Sequence, residues 1–157
     1  MTEDAKFEDG REAPLRLKAL DAEDLQVIAA LAQDAVFPAT EMRFDSKARR
    51  FAILINRFRW EDADRAKARG RKVERVQAVL AFEDVMKVQS QGIAKGDADM
   101  VYSLLSIGFT PGEDGAGRVE LTFAGDGAVA LDVEALEVIL RDVTRPYEAP
   151  SGKVPGH

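Results

Sequence analysis

The sequence predicts an α+β fold, mainly antiparallel, in which about seven short strands form bent sheets and helices are few. From Met42 onward, apolar and polar residues alternate in short runs, the signature of half-buried strands. Those runs are punctuated by turn chemistry at Asp45–Ala48, Glu83–Asp84 and Gly125–Gly127. Helical spacing is confined to two segments, one near each end of the body. The chain has 157 residues, 46% of them hydrophobic. That is the size of one domain and enough to bury a core without metals or disulfides.

Along the chain, residues 1–12 read as irregular and a single domain is expected over 13–144. Leu15 and Leu17 alternate with charged residues as a short strand. The segment Leu20–Ile28 then starts a helix, with Asp21 as N-cap, Glu23 in the first turn and Leu20 stapled to Leu25. That helix is expected to continue through Leu31, Ala32 and Ala35. Strands follow at Met42–Phe44 and Arg50–Trp60. A hairpin is expected within Val73–Gln91, turning at Glu83–Asp84. Val101–Phe109 is another strand, and Thr110–Gly117 is a glycine-rich loop. Val119, Leu121 and Phe123 alternate with polar neighbours. The turn at Gly125–Gly127 leads through Ala128–Leu131 into a C-terminal helix with Asp132 as N-cap, Glu134 in its first turn, and Leu131 and Leu136 as staple. The segments Leu20–Ile28 and Leu131–Ile139 match at six of nine positions, either as two well-made helix starts or as the trace of a duplication. Pro146, Pro150 and Pro155 make 145–157 an irregular tail.

This order, strands and tight turns followed by one helix, resembles that of pleckstrin-homology-like split barrels, in which a C-terminal helix plugs an open corner. Strand one and helix one would be an N-terminal addition. The resemblance is topological and brings no function with it. From Leu15 on, and most clearly at Phe51–Trp60 and Val119–Val143, the chain also resembles an uncharacterised family of small alphaproteobacterial proteins. That resemblance implies a bacterial cytosolic protein and assigns no site.

Composition excludes several chemistries. There is no cysteine, and the one histidine is His157. Ser-His-Asp and Cys-His catalysis, thiolate sites and histidine-based zinc sites are therefore not expected. Neither a secretory signal nor a membrane span is legible, so a cytoplasmic location is expected. Asp97, Asp99, Glu113 and Asp114 lack calcium-loop spacing. The loop Gly112–Gly117 leads into a strand rather than a helix, so it is not a phosphate-binding loop. Tyr102, Ser103 and Ser106 lie on a strand with no neighbouring base. No catalytic residue, metal or cofactor is expected, and a carboxylate-based enzyme is the least favoured reading.

Charge is unevenly distributed. Between Glu41 and Arg75, twelve basic residues stand against six acidic ones, a net +6, and the remainder is −12. The candidate site is the basic segment 57–75, read as an exposed loop with Arg57, Arg59, Trp60, Arg69, Arg71 and Lys72 as the binding residues. Guanidinium groups beside an aromatic ring can hold anions or form protein contacts. Two classes of function follow. One is a non-enzymatic interaction domain, self-associating or bound to another protein. The other is a module for a phosphorylated ligand or nucleic acid, although the overall acidity argues against general nucleic-acid binding.

Overall fold

The run Arg50–Phe58 buries Phe51, Ile53, Ile55 and Arg57 on one face, while Ala52, Leu54, Asn56 and Phe58 are half-buried on the other. This period of two makes it the central strand of the first half of the molecule. The computed structural model describes residues 14–93 and 100–147. Its strands are β1 (Arg16–Ala19), β2 (Val36–Pro38), β3 (Met42–Asp45), β4 (Arg50–Phe58), β5 (Arg75–Phe82), β6 (Val85–Gln91), β7 (Val101–Pro111), β8 (Gly117–Phe123), β9 (Ala128–Val133) and β10 (Val138–Asp142). Helix α1 spans Ala22–Ala32 and α2 spans Ala63–Ala68, with single 3-10 turns at Ala39–Glu41 and Trp60–Asp62.

The ten strands form an open sheet in the order β1-β10-β5-β4-β2-β7-β8-β9-β6, with β3 attached to β4. Every pairing is antiparallel. The three-residue β2 joins the two halves. Val36 pairs with Asn56 of β4, while Val36, Phe37 and Pro38 pair with Ser103, Tyr102 and Val101 of β7. One apolar core lies inside, built from Ile53, Ile55, Leu80 and Phe82 of the first half and Leu104, Leu121, Phe123 and Leu131 of the second. Helix α1 adds Leu25, Ile28 and Ala32 to it. Its cap is as the sequence predicts, Asp21 accepting the backbone N–H of Asp24 at 2.8 Å, but Leu20, expected to staple onto Leu25, is 61% exposed. It ends at Ala32, short of Ala35, and Asp34 turns the chain with φ 65°.

Three expectations are corrected. No helix closes the C-terminal part of the described chain, because Leu131–Val143 is strand, turn and strand. The helical closure expected of a pleckstrin-homology-like barrel is therefore not found among the described residues. Val129, Leu131 and Val133, then Val138, Leu140 and Asp142, are buried at alternate positions. This segment is dense in β-branched Val133, Val138 and Ile139, which favour strands, where α1 carries several alanines. The two matching nonapeptides thus take different structures, and Asp132 caps no helix. Secondly, β5 and β6 form no hairpin. Asp84, with φ 55°, turns the chain from one half to the other, so that β5 lies between β10 and β4 while β6 pairs with β9. Thirdly, residues 60–68 are helical turns rather than an open loop. Beta-2, too short to show periodicity, has no counterpart in the sequence reading. Asp97 and Asp99 lie outside the described residues, as does the tail beyond Tyr147.

Candidate anion-binding cleft

The site begins with a charge inside the core. Arg57 follows Phe51, Ile53 and Ile55 on the inward face of β4 and is fully buried. On β10 the inward series Val138, Leu140 ends likewise in a charge, Asp142. Arg57 Nε and Nη2 donate to Asp142 Oδ1 and Oδ2, each at 3.0 Å. Its Nη1 and Nη2 also donate to Glu61 Oε1 and Oε2 at 2.9 and 2.8 Å, and Nη1 donates to the Phe58 carbonyl at 3.0 Å. A buried guanidinium needs such a set of acceptors, because an unpaired one costs several kcal/mol. Burial opposes the charge on Arg57, but the bonds to Glu61 and Asp142 outweigh it and raise its pKa.

This pair anchors the basic segment. Trp60–Asp62 turns directly above Arg57, α2 follows, and Gly70, with φ 67°, reverses the chain so that Arg71 N–H reaches the Ala66 carbonyl at 2.9 Å. Arg59 Nη1 bonds Glu74, and the backbone of Arg59 donates to the Glu74 carbonyl at 2.8 Å. Arg71 Nη2 lies 2.7 Å from Asp62 Oδ2, whereas Arg65 Nε is 3.7 Å from Asp62 Oδ1. Between these groups lies a cleft of about 330 Å³ lined by Arg59, Asp62, Arg65, Arg71, Glu74, Arg145 and Pro146. Among the described residues, Arg59, Arg65, Arg71 and Arg145 share the cleft with Asp62 and Glu74, and Glu61 Oε2 lies 4.0 Å from Arg59 Nε. Arg145, in the chain leaving β10, is exposed and has no acidic partner among the described residues.

The sequence-predicted residues are divided by this arrangement. Arg59 and Arg71 line the cleft. Arg57 lies beneath it, out of reach of a ligand, and holds its frame. Arg69 and Lys72 are exposed but do not line it. Trp60 lies to the side, 37% exposed, with Nε1 donating to the Gln33 carbonyl at 2.9 Å and its ring 5.1 Å from that of Phe58. Arg65, Arg145, Asp62 and Glu74 are the residues that sequence reasoning missed as a group. For the Arg57–Asp142 pair a signal did exist: each terminates an apolar alternation at an inward position, and the two charges are opposite.

The frame is sensitive to acid. Burial alone would raise the pKa of Glu61, but the bonds and charge of Arg57 outweigh it and hold the carboxyl below its ordinary value. Asp62 is likewise lowered, burial being outweighed by the bond from Arg71 and by the charges of Arg71, Arg59 and Arg65. Groups with depressed folded-state pKa values contribute stability above the unfolded pKa, about 4 for carboxylates, and lose it as pH falls through the folded values. The urea midpoint should therefore hold above the carboxylate range and fall below it. The variant Glu61→Gln should show a shallower fall, and parallel curves would show that Glu61 carries no such linkage.

The family model described as Protein of unknown function (DUF2948) matches residues 15–157. The chain belongs to this family. No curated protein and no solved structure shows a significant match. Family membership agrees with the resemblance to an uncharacterised family and adds no activity to it. Among the described residues, no helix is long and apolar enough to cross a membrane.

Proposed function

We propose that this DUF2948 chain is a non-enzymatic binding domain whose arginine-lined cleft receives an anionic group, a phosphate or a carboxylate, of its ligand. The observation that carries the reading is the convergence of Arg59, Arg65, Arg71 and Arg145 on one cleft, in which Arg145 is exposed and has no acidic partner among the described residues. Asp62 and Glu74 position Arg59 and Arg71, and charge-assisted bonds from arginine favour planar or tetrahedral oxyanions. Much of the positive charge of the segment is engaged in internal ion pairs. What remains is compact, which suits one anionic group better than a run of nucleic-acid phosphates. A bacterial cytosolic setting is part of the proposal and rests on the family resemblance alone.

Inorganic pyrophosphate and citrate serve as probes of the two oxyanion classes in calorimetric titration. Binding that weakens as salt rises is expected, and the double variant Arg65→Glu/Arg145→Glu should reduce affinity by at least about tenfold. Both side chains are at least partly exposed, so the variant should keep its fold. Equal affinity in the variant and the native chain would overturn the assignment. A stronger response to pyrophosphate than to citrate would select phosphate over carboxylate as the ligand group.

A further inference from the structure

Away from the cleft, the outer face of the first half of the sheet differs from that of the second. Register aligns Lys18, Ile139, Ala81, Ala52 and Arg43 across β1, β10, β5, β4 and β3. The next row on the same face is Arg16, Arg141, Val79 and Leu54. The centre of this face is therefore aliphatic, with Ala52, Leu54, Val79 and Ile139 half-buried around a buried Ala81. The outward residues of β8 are by contrast Arg118, Glu120 and Thr122, as expected of a sheet face turned to water. Neither helix lies over the aliphatic rows, since α1 directs Leu25, Ile28 and Ala32 into the core on the opposite side and α2 packs on the turn at Trp60–Asp62.

The rim of this face is cationic in an unusual way. Arg16, Arg43 and Arg141 are exposed, and none has a carboxylate or other polar partner among the described residues. Arg50 and Lys18, on the same face, are by contrast paired with Glu83 and Glu137. Arg16 and Arg141 are direct cross-strand partners, a like-charge pairing that costs stability in isolation. An acidic group placed between them would relieve that repulsion. Two copies meeting face to face would instead bring the same unpaired positive charges to both sides of one interface.

We propose that this face is a docking surface for a different protein that presents acidic side chains around an aliphatic ridge. The ridge would cover Leu54, Val79 and Ile139, and its carboxylates would meet Arg16, Arg141 and Arg43. Apolar centre and charged rim then divide the work, the first supplying affinity and the second orientation and on-rate.

The test uses the full chain, isotope-labelled at the methyl groups of leucine, valine and isoleucine, and a synthetic peptide alternating glutamate with leucine as probe. Shifts at Leu54, Val79 and Ile139 are expected on titration, together with a loss of affinity of about tenfold in Arg16→Glu/Arg141→Glu. The cleft variant Arg65→Glu/Arg145→Glu should bind the peptide as the native chain does, which keeps failure of this surface distinguishable from failure of the cleft. Three results would overturn the proposal. These are equal binding of a lysine–leucine peptide, concentration-dependent dimerisation through the same methyl groups, or perturbation of those methyl groups on deletion of residues 1–13. The last would show that the chain's own acidic N-terminal segment is the occupant.

Discussion

Replacing Asp142 by alanine should lower folding stability by about 3 kcal/mol, read as a fall in the urea midpoint at an unchanged slope. The change removes the acceptor of Arg57 Nε, one of the two acceptors of Nη2 and the side-chain acceptor of the Leu15 N–H, which lies 3.2 Å from Oδ2. Arg57 cannot swing out to water, because it lies on the inward face between β4 and its neighbours and is fully buried. Glu61 still holds one side of the guanidinium, which places the loss at the lower end of what breaking a buried pair costs. The paired replacement Arg57→Met/Asp142→Leu removes both charges and fills similar volume, so it should recover most of the loss. If the single variant changed stability by less than about 0.5 kcal/mol, as a typical surface substitution does, the pair could not be the anchor of the cleft.

Phe37→Ala should cost about 3–5 kcal/mol, the range for removing a large buried aromatic side chain. The ring is 1% exposed and meets Phe123 edge-on at 5.3 Å and Tyr102 at 6.1 Å between centroids. It also sits on the three-residue strand that links the two halves of the sheet. The loss should therefore appear as one cooperative transition that moves as a whole, followed by thermal unfolding at both near- and far-ultraviolet wavelengths. Separate transitions at the two wavelengths would show that β2 does not couple the halves.

Much of the strand structure was legible because one face of each strand is buried and the other is not. β4, β8 and the turn at Asp45, whose side chain accepts the N–H groups of Lys47 and Ala48 at 3.1 Å, follow directly from that pattern. Leu131–Ile139 shows where local reasoning stops. Its capping pattern is almost that of Leu20–Ile28, but Leu131 pairs with Val88 and Val119 while Val138 pairs with Phe82 and Ala19. Those long-range partners, not the cap, decide the outcome, as tertiary context commonly overrides propensity. The same holds for β5 and β6, where Glu83–Asp84 is a turn of the expected chemistry that connects strands belonging to different halves.

At the site, the concentration of charge in 57–75 was visible and its use was not. The alternation along β4 places Arg57 inward, but only the fold brings Asp142, some eighty residues away, to meet it. The prolines from Pro146 on place Arg145 in an irregular tail on sequence grounds, yet the chain after β10 continues beside β5. Val143 N–H reaches the Gln77 carbonyl at 2.8 Å, and Tyr147 and Arg75 exchange backbone bonds at 2.8 and 2.6 Å. That continuation delivers Arg145 and Pro146 to the cleft wall. Arg75 is held separately, its guanidinium 4.2 Å from the centre of the Phe58 ring.

The most direct test of the account follows the arginine side-chain Nε–H signals by nuclear magnetic resonance while pyrophosphate is added to the full chain at low salt. Saturable shifts should appear at Arg59, Arg65, Arg71 and Arg145, with Arg57 unmoved in its buried pair. Signals that drift together without saturating, or that saturate at Arg16, Arg43 and Arg141 while the cleft stays silent, would contradict it.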